Sequence, residues 1–327
     1  MDRRSVLAIA AVGALTAAGL STPASAQGPT WPQRNVRFIV PLGPGSGVDI
    51  SARLLADRLS AKWGKPVVIE NKPGGDAIVA ISAFTGANDD HTFLMAPTST
   101  FTAHPFLHEK LPYDVRDLVP IARVSNTVIA VGVPTSAGIT SVSDLIARAK
   151  AEPGKLNSAA ATGANDFVVT GYLKQSGADI TRVPYRDAVQ AVNDLAEDRI
   201  QLYVAAFAIM RPQVQAGKVK LIAITNSERA PTLPDVPTAK EAGHPALTID
   251  GLVGLFGPRE MSKELRDRVA ADVIAATGDP EIAAKIASTG QIVRPSGAEE
   301  FAMEIEKQSN VVSEAAAAAG VKRMLQN

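Results

Sequence analysis

Val36-Arg37-Phe38-Ile39-Val40-Pro41-Leu42-Gly43-Pro44-Gly45-Ser46-Gly47-Val48-Asp49-Ile50 is the stretch whose reading decides the fold class. A β-rich run stops at Pro41, a Gly/Pro turn follows, and Asp49 stands where a helix N-cap belongs. Beyond it, Ile50, Leu54, Leu55 and Leu59 recur with helical spacing. The next segment repeats the theme. Residues 66–70 form a short strand ending in the turn Asn71-Lys72-Pro73-Gly74-Gly75, residues 78–87 read as helix, and residues 92–96 as a third strand. Strands alternating with helices predict a largely parallel sheet covered on both faces.

The pattern restarts at Thr127-Val128-Ile129-Ala130-Val131. A helix over 143–151, capped by Ser141 or Ser143, leads to a strand at 156–160, a helix at 166–175 and a strand at 181–183. A helix at 188–197, a strand at 200–205, a helix at 209–215 and a strand at 220–225 complete a second β/α module. Residues 229–243 are rich in proline and read as a surface segment. From Ser262 onward the tail reads as helical, punctuated by Gly290 and Pro295. It holds too little strand for a third domain and so packs back on the first module.

The 327 residues suffice for two domains with separate cores. Lys plus Arg and Asp plus Glu number 33 each, so no basic surface points to a nucleic-acid partner. Cysteine is absent, which excludes disulfides, thiolate nucleophiles and cysteine-based metal centres. Residues 1–26 read as an export signal: Arg3 and Arg4 precede an apolar run from Val6 to Ala18, and Ala24-Ser25-Ala26 forms a cleavage site. Cleavage after Ala26 leaves 31 basic and 32 acidic residues, a net charge of −1, on a protein expected outside the cytoplasm.

Function is expected at the glycine turns that follow strands. Gly43, Gly45 and Gly47 precede a helix N-terminus, whose first N–H groups lack intrahelical partners and whose dipole favours an anion. Asn71 to Gly75 makes a second such turn, and Thr162-Gly163-Ala164-Asn165 a third in the other module. Thr98, Ser99 and Thr100 add hydroxyl donors at the end of a strand. In an open parallel sheet these loops lie at the carboxyl ends of strands, where ligands bind. A site of neutral donors holds a carboxylate without burying an arginine.

Enzyme motifs are not met. Residues 43–47 lack the Gly-Lys-Ser/Thr ending of a phosphate loop and the spacing of a dinucleotide fingerprint. Ser46 on a strand–turn–helix corner resembles a nucleophile elbow, but Pro44 and Val48 occupy the positions that need glycine. His104 and His108 are four residues apart without a carboxylate in an H-E-x-x-H pattern, so neither metal nor cofactor is expected.

These residues resemble the Bug family, the periplasmic solute-binding proteins of tripartite tricarboxylate transporters. Trp31-Pro32, residues 36–47 with Asp49 and Arg53, and Pro66 to Gly75 carry the resemblance in the first module. It continues through Leu111-Pro112-Tyr113-Asp114, Pro153-Gly154-Lys155-Leu156-Asn157, Val183-Pro184-Tyr185-Arg186 and Ala216-Gly217-Lys218-Val219-Lys220. Its most specific piece is Arg229…Leu233-Pro234-Asp235-Val236-Pro237-Thr238…Glu241-Ala242-Gly243. The resemblance implies an α/β fold of the type II periplasmic-binding-protein kind. Two hinged lobes, at about 27–127 plus 252–327 and 128–251, would carry mixed, mostly parallel sheets and close on ligand. The implied ligand is a small di- or tricarboxylate, aromatic acid or acidic amino acid. The implied partners are the membrane subunits of the transporter, with the binding protein itself a monomer.

Carried over by position, the first-lobe contacts are Leu42, Gly43, Gly45, Ser46, Gly74, Gly75, Asp76, Thr98 and Ser99. The second-lobe contacts are Thr162, Gly163, Ala164, Asn165, Tyr185 and Asp187. The chain departs from the family at Ser46 and Val48, at Asn165-Asp166-Phe167 and at Arg186-Asp187. Asp166 or Asp187 facing the cleft would favour a ligand with a hydroxyl or amino group beside its carboxylate, since an ionised Asp only accepts hydrogen bonds; helix capping is the better reading of both. Docking on an extracytoplasmic sensor, or hydrolysis through Ser46, are the alternative functions.

Overall fold

The computed structural model describes residues 31–161, 163–185 and 187–324. The export segment, Thr162 and Arg186 lie outside them. Strand β1 (Val36–Val40) runs parallel between β2 (Val67–Asn71) and β3 (Thr92–Pro97). Beyond β3 the sheet continues with β10 (Gly251–Gly257), β4 (Val119–Thr127) and β11 (Gln291–Gly297), each pairing antiparallel with its neighbour. Alternation along β1 serves two cores, as a pleated strand requires. Val36, Phe38 and Val40 pack beneath α1 (Gly47–Trp63) and α8 (Lys263–Thr277), with Leu55, Leu59 and Val273. Ile39 faces the other way, toward α2 (Ile78–Ala87), α3 (Thr98–Leu107) and α10 (Ala298–Ala319), with Phe84, Phe101 and Phe301.

A second sheet is built around β5 (Ile129–Pro134), which runs antiparallel to both β8 (Tyr203–Ala206) and β9 (Val219–Ile224). Next to it β6 (Leu156–Ala159) and β7 (Ile180–Val183) pair in parallel, joined to the rest by a bridge from Ser158 to Leu202. Here too the strand alternates. Ile129, Val131 and Val133 meet α4 (Val142–Ala151) and α5 (Ala164–Ser176). Ala130 meets α6 (Ala188–Ala196) and α7 (Phe207–Gln215).

The expectation of mostly parallel sheets is corrected: every pairing made by β4, β5, β10 and β11 is antiparallel. The chain leaves the first sheet at Thr127 and enters the second at Ile129, so what reads as one strand from 127 is the end of β4 and the start of β5. It returns at Gly251. The buried Asn226 ties these crossings together, its Oδ1 accepting from Ile129 N–H (3.0 Å) and its Nδ2 donating to Thr127 O (3.0 Å).

The tail is also not purely helical. After α9 (Pro280–Ser288) it adds β11 to the first sheet, with Pro295 inside that edge strand. Helix α10 then serves both modules. Phe301 packs in the first core, while Val312 and Ala316 pack in the second with Phe167 and Val168. No helix among the described residues is long and apolar enough to cross a membrane.

Candidate functional site

A crevice of about 640 Å³ lies between the two sheets, lined from both. On the first wall Leu42, Gly43, Gly45 and Ser46 reach it from the loop between β1 and α1. Ser46, not Asp49, is the N-cap of α1: its Oγ accepts from Asp49 N–H at 3.2 Å. Asp49 is buried three residues on and organises two loops at once. Its carboxylate accepts from Gly45 N–H (2.8 Å), Arg53 Nε (3.1 Å) and Asn71 Nδ2 (2.8 Å), and Asn71 also donates to Leu42 O (2.9 Å). Burial alone would raise the Asp49 carboxyl, but the bonds from Arg53, Gly45 and Asn71 outweigh it and hold it below its ordinary value.

The turn after β2 adopts positive φ at four successive residues, Gly74 (106°), Gly75 (56°), Asp76 (51°) and Ala77 (64°). Gly74, Asp76 and Ala77 line the crevice, whereas Gly75 does not. The conformation is costly for the two residues that carry side chains, and His104, on α3 behind the turn, holds it: its Nε2 lies 2.9 Å from Asp76 O. Ser99 and Thr100, at the start of α3, also face the crevice. Thr98 is the exception to the expected hydroxyl cluster. It is fully buried, with Oγ1 donating to Gln308 Oε1 at 2.6 Å, because the first turn of α3 rotates it toward α10.

On the second wall Gly163 and Asn165 line the crevice, while Ala164 is turned into the core behind them. Thr162 lies outside the described residues. Tyr185 and Asp187 do not line the crevice. The Tyr185 hydroxyl donates to Asp194 Oδ2 (2.8 Å), and Asp187 caps α6 by accepting from Val189 N–H (2.9 Å). Burial and the bond to Asp194 push Tyr185 up to about 12. Asp166 pairs with Arg182 away from the crevice; burial raises its carboxyl more than Arg182 lowers it. Neither aspartate therefore supplies the cleft-facing acceptor considered from sequence, and Asp76 is the one carboxylate among the described lining residues.

Sequence reasoning missed a further part of the lining. Tyr203 to Ala206, Ala208 and Ile209 come from the junction of β8 and α7, which has no glycine to signal it. Thr127, Ile129 and Gly251 come from the crossings, and Thr289 and Gln291 from the tail. A strand running directly into a helix at 205–207 was the available signal for the first group.

The donors are of one kind. Six helices start at the crevice among the described residues: α1 and α6 are capped by Ser46 and Asp187, whereas α2, α3, α5 and α7 have no side-chain cap. Helices α4, α8 and α9 start elsewhere and are capped by Ser141, Ser262 and Asp279; α10, also elsewhere, is uncapped. Uncapped first turns leave N–H groups without side-chain partners at the crevice, with the positive end of each helix dipole behind them, although the Ile78 N–H donates to Gly75 O and the Phe207 N–H to Val128 O. The described lining contains no Lys, Arg or His. Ser46 Oγ is occupied as a cap, and no histidine stands by it as a base, so the described residues assemble no nucleophile. The carboxylate that the His104–His108 pair lacks in sequence is supplied by the turn. Ligating atoms of Asp76, His104 and His108 lie within 4.8 Å of one another.

The walls touch across the crevice mouth. Gly163 has φ 56° and ψ −139°, and a Cβ there would lie 3.0 Å from Ser99 O.

Comparison with known proteins gives the same picture. The family model described as tripartite tricarboxylate transporter family receptor matches residues 51–317. BugT of Bordetella pertussis is 29% identical over 97% of this chain and 99% of its own. Rpa4515 of R. palustris, solved with adipate, superimposes with a TM-score of 0.78 at 27% identity, covering 89% of this chain and 99% of that one. MatC from Rhodopseudomonas palustris, solved with malate, gives 0.71 at 26% identity, covering 86% and 99%. With two lobes, a donor-lined crevice and a family match over most of its length, the chain belongs to the TctC/Bug family of periplasmic solute-binding proteins, receptors that bind rather than catalyse.

Proposed function

We propose that this protein captures a small carboxylate between its lobes and presents it to the membrane subunits of a tripartite tricarboxylate transporter. The single observation that carries the reading is the set of uncapped helix N-termini, α2 and α3 from one lobe and α5 and α7 from the other, converging on one crevice. Neutral N–H and hydroxyl donors fixed before the ligand arrives bind an anion without the desolvation cost of an arginine. In this reading Gly43, Gly45, Ser46, Gly74, Ser99, Gly163 and Asn165 contact the ligand through backbone or short side chains. The apolar liners Leu42, Val48, Ile129, Val204 and Ile209 pack its carbon skeleton. The adipate and malate complexes of the two relatives support a di-acid as the first class to try. Export by the segment ending at Ala26 belongs to the same reading, and so does action as a monomer.

A thermal-shift screen over di- and tricarboxylates, aromatic acids and acidic amino acids tests it. A ligand that binds only the folded chain stabilises it by about 2.7 kcal/mol at a hundredfold excess over Kd. A hit should lose affinity on Ser99→Pro or Asn165→Pro, which remove one N–H each at a helix start that tolerates proline. No shift with any carboxylate at millimolar concentration would rule the reading out.

A further inference from the structure

We propose that Asp76, His104 and His108 form a binding site for one divalent first-row transition cation, of the zinc type, set into the first wall at the edge of the crevice. Nothing in the proposed carboxylate capture requires this site. It stands on three observations that are independent of one another.

The first is the donor set. His104 in α3 and His108 at its C-cap bring their rings together, with centroids 5.2 Å apart. The turn after β2 brings the Asp76 carboxylate over them, with Oδ2 3.5 Å from His104 Nε2. Two imidazoles and a carboxylate are the donors that zinc, cobalt and nickel accept. The Asp76 carbonyl, 2.9 Å from the same nitrogen, offers a further oxygen at that point. Ligands on one such ion lie closer together than 4.8 Å. Asp76 is 39% exposed and His108 is the C-cap of α3, where the backbone has left the helix, so both can close the gap without disturbing the core.

The second is an unpaid polar atom. His108 Nε2 is buried and has no hydrogen-bond partner. Buried ring nitrogens are ordinarily satisfied, and a ring that leaves one unpartnered in a cluster with a carboxylate and a second imidazole has a lone pair a cation could use.

The third is the support behind His104. Its Nδ1 lies 2.5 Å from the Tyr113 hydroxyl. A neutral phenol serves either arrangement of the ring. Without an ion, Tyr113 donates to Nδ1 and Nε2–H donates to Asp76 O. With an ion, Nδ1–H donates to the Tyr113 oxygen and the Nε2 lone pair faces the metal. An oriented donor on the far ring nitrogen is the usual backing of a metal-ligating histidine.

Charge gives the site a place in the molecule. Asp76 puts a carboxylate on a crevice built for anions, where it opposes any anionic ligand. A divalent cation on it reverses the sign of that wall.

The test is isothermal titration of ZnCl2 into the tag-free chain after stripping with chelator, with no carboxylate present, so that its result does not depend on the ligand of the crevice. The expected result is one equivalent bound at micromolar concentration. Affinity should fall about tenfold or more in His108→Ala and in Asp76→Asn, and by about 10–100-fold in Tyr113→Phe, which touches no metal-ligating atom. Circular dichroism and melting temperature confirm that each variant is folded; if Tyr113→Phe does not fold, the two edge variants decide alone. Absence of binding to the wild-type chain at about 0.1 mM zinc, roughly a hundredfold above the expected micromolar Kd, overturns the proposal. So does zinc uptake that is undiminished in both His108→Ala and Asp76→Asn, which would place the ion elsewhere.

Discussion

Gly163 shows how much one position can carry. Its φ of 56° and ψ of −139° belong to a region essentially closed to other residues, and its backbone abuts Ser99 O on the opposite lobe. Gly163→Ala adds strain of about 1–3 kcal/mol and a methyl group at 3.0 Å from that oxygen. The expected outcome is a loss of ligand affinity by tenfold or more in calorimetry, with a smaller fall in the melting temperature of the empty protein, since opening the lobes relieves the clash. Asp49 gives a prediction in pH. Its carboxyl sits below the ordinary value, so its contribution to stability is fully present above the unfolded value of about 3.9 and is lost as pH falls through the folded one. Melting temperature followed from pH 7 down to 3 should therefore drop less steeply for Asp49→Asn than for the wild type, from a lower starting point. Sequence spacing put a helix start at Asp49, and the capping residue proved to be Ser46, because a cap and an acidic residue three positions later are interchangeable in pattern and only the backbone angles separate them.

At the scale of elements, the β/α units from Val36 to Pro97 were legible because parallel strands buried on both faces read as apolar runs, and glycine turns punctuate them. Strands β4, β10 and β11 were not legible, for reasons each shows in its packing. Arg123 in β4 looks exposed by type, yet it is buried and paired to Glu300 (2.9 Å), with Nε donating to Arg294 O (3.0 Å). Gly254 in β10 is low in strand propensity, yet any Cβ there would fall 2.3 Å from the Phe301 ring. Pro295 in β11 is tolerated on the edge. The helix starts carry a prediction of their own. Ala206 is the uncapped N-cap of α7 at the crevice. Ala206→Asp should raise the stability of the empty protein by about 0.5–2 kcal/mol through a new cap, measured by urea unfolding, while abolishing carboxylate binding by placing a like charge in the site. A rise in both stability and affinity would contradict the role given to these uncapped turns. Where α5 crosses α10 the contact is backbone to backbone: a Cβ on Gly171 would lie 2.6 Å from Ala315 O. Gly171→Ala is expected to cost about 1–3 kcal/mol in urea unfolding by forcing the two helices apart.

For the molecule as a whole, the two-lobed plan was readable from the restart of the β/α pattern after residue 127, and part of the crevice lining from turns at strand ends. The share of the crevice contributed by Thr127, Ile129, Gly251, Thr289 and Gln291 was not, because these positions become neighbours only through the crossings and the returning tail. Ligand binding should shift a population of open molecules to closed ones, which solution scattering detects as a decrease in radius of gyration on adding a saturating carboxylate; an unchanged radius would mean that the lobes do not hinge. Asn226 governs the form such a motion takes. Held to Thr127 O on one side and to Ile129 N–H on the other, it nails down the spine along which the two halves meet. Displacement about a fixed spine grows with distance from it, as the pages of a book move most at their outer margin. Under such a motion Thr127 and Gly251, at the crossings, would stay nearly still, while Gly163 and Ser99, which meet from opposite lobes, would part. A guest would then enter and leave where Gly163 and Ser99 draw apart, and closing them would be the step that seals it in.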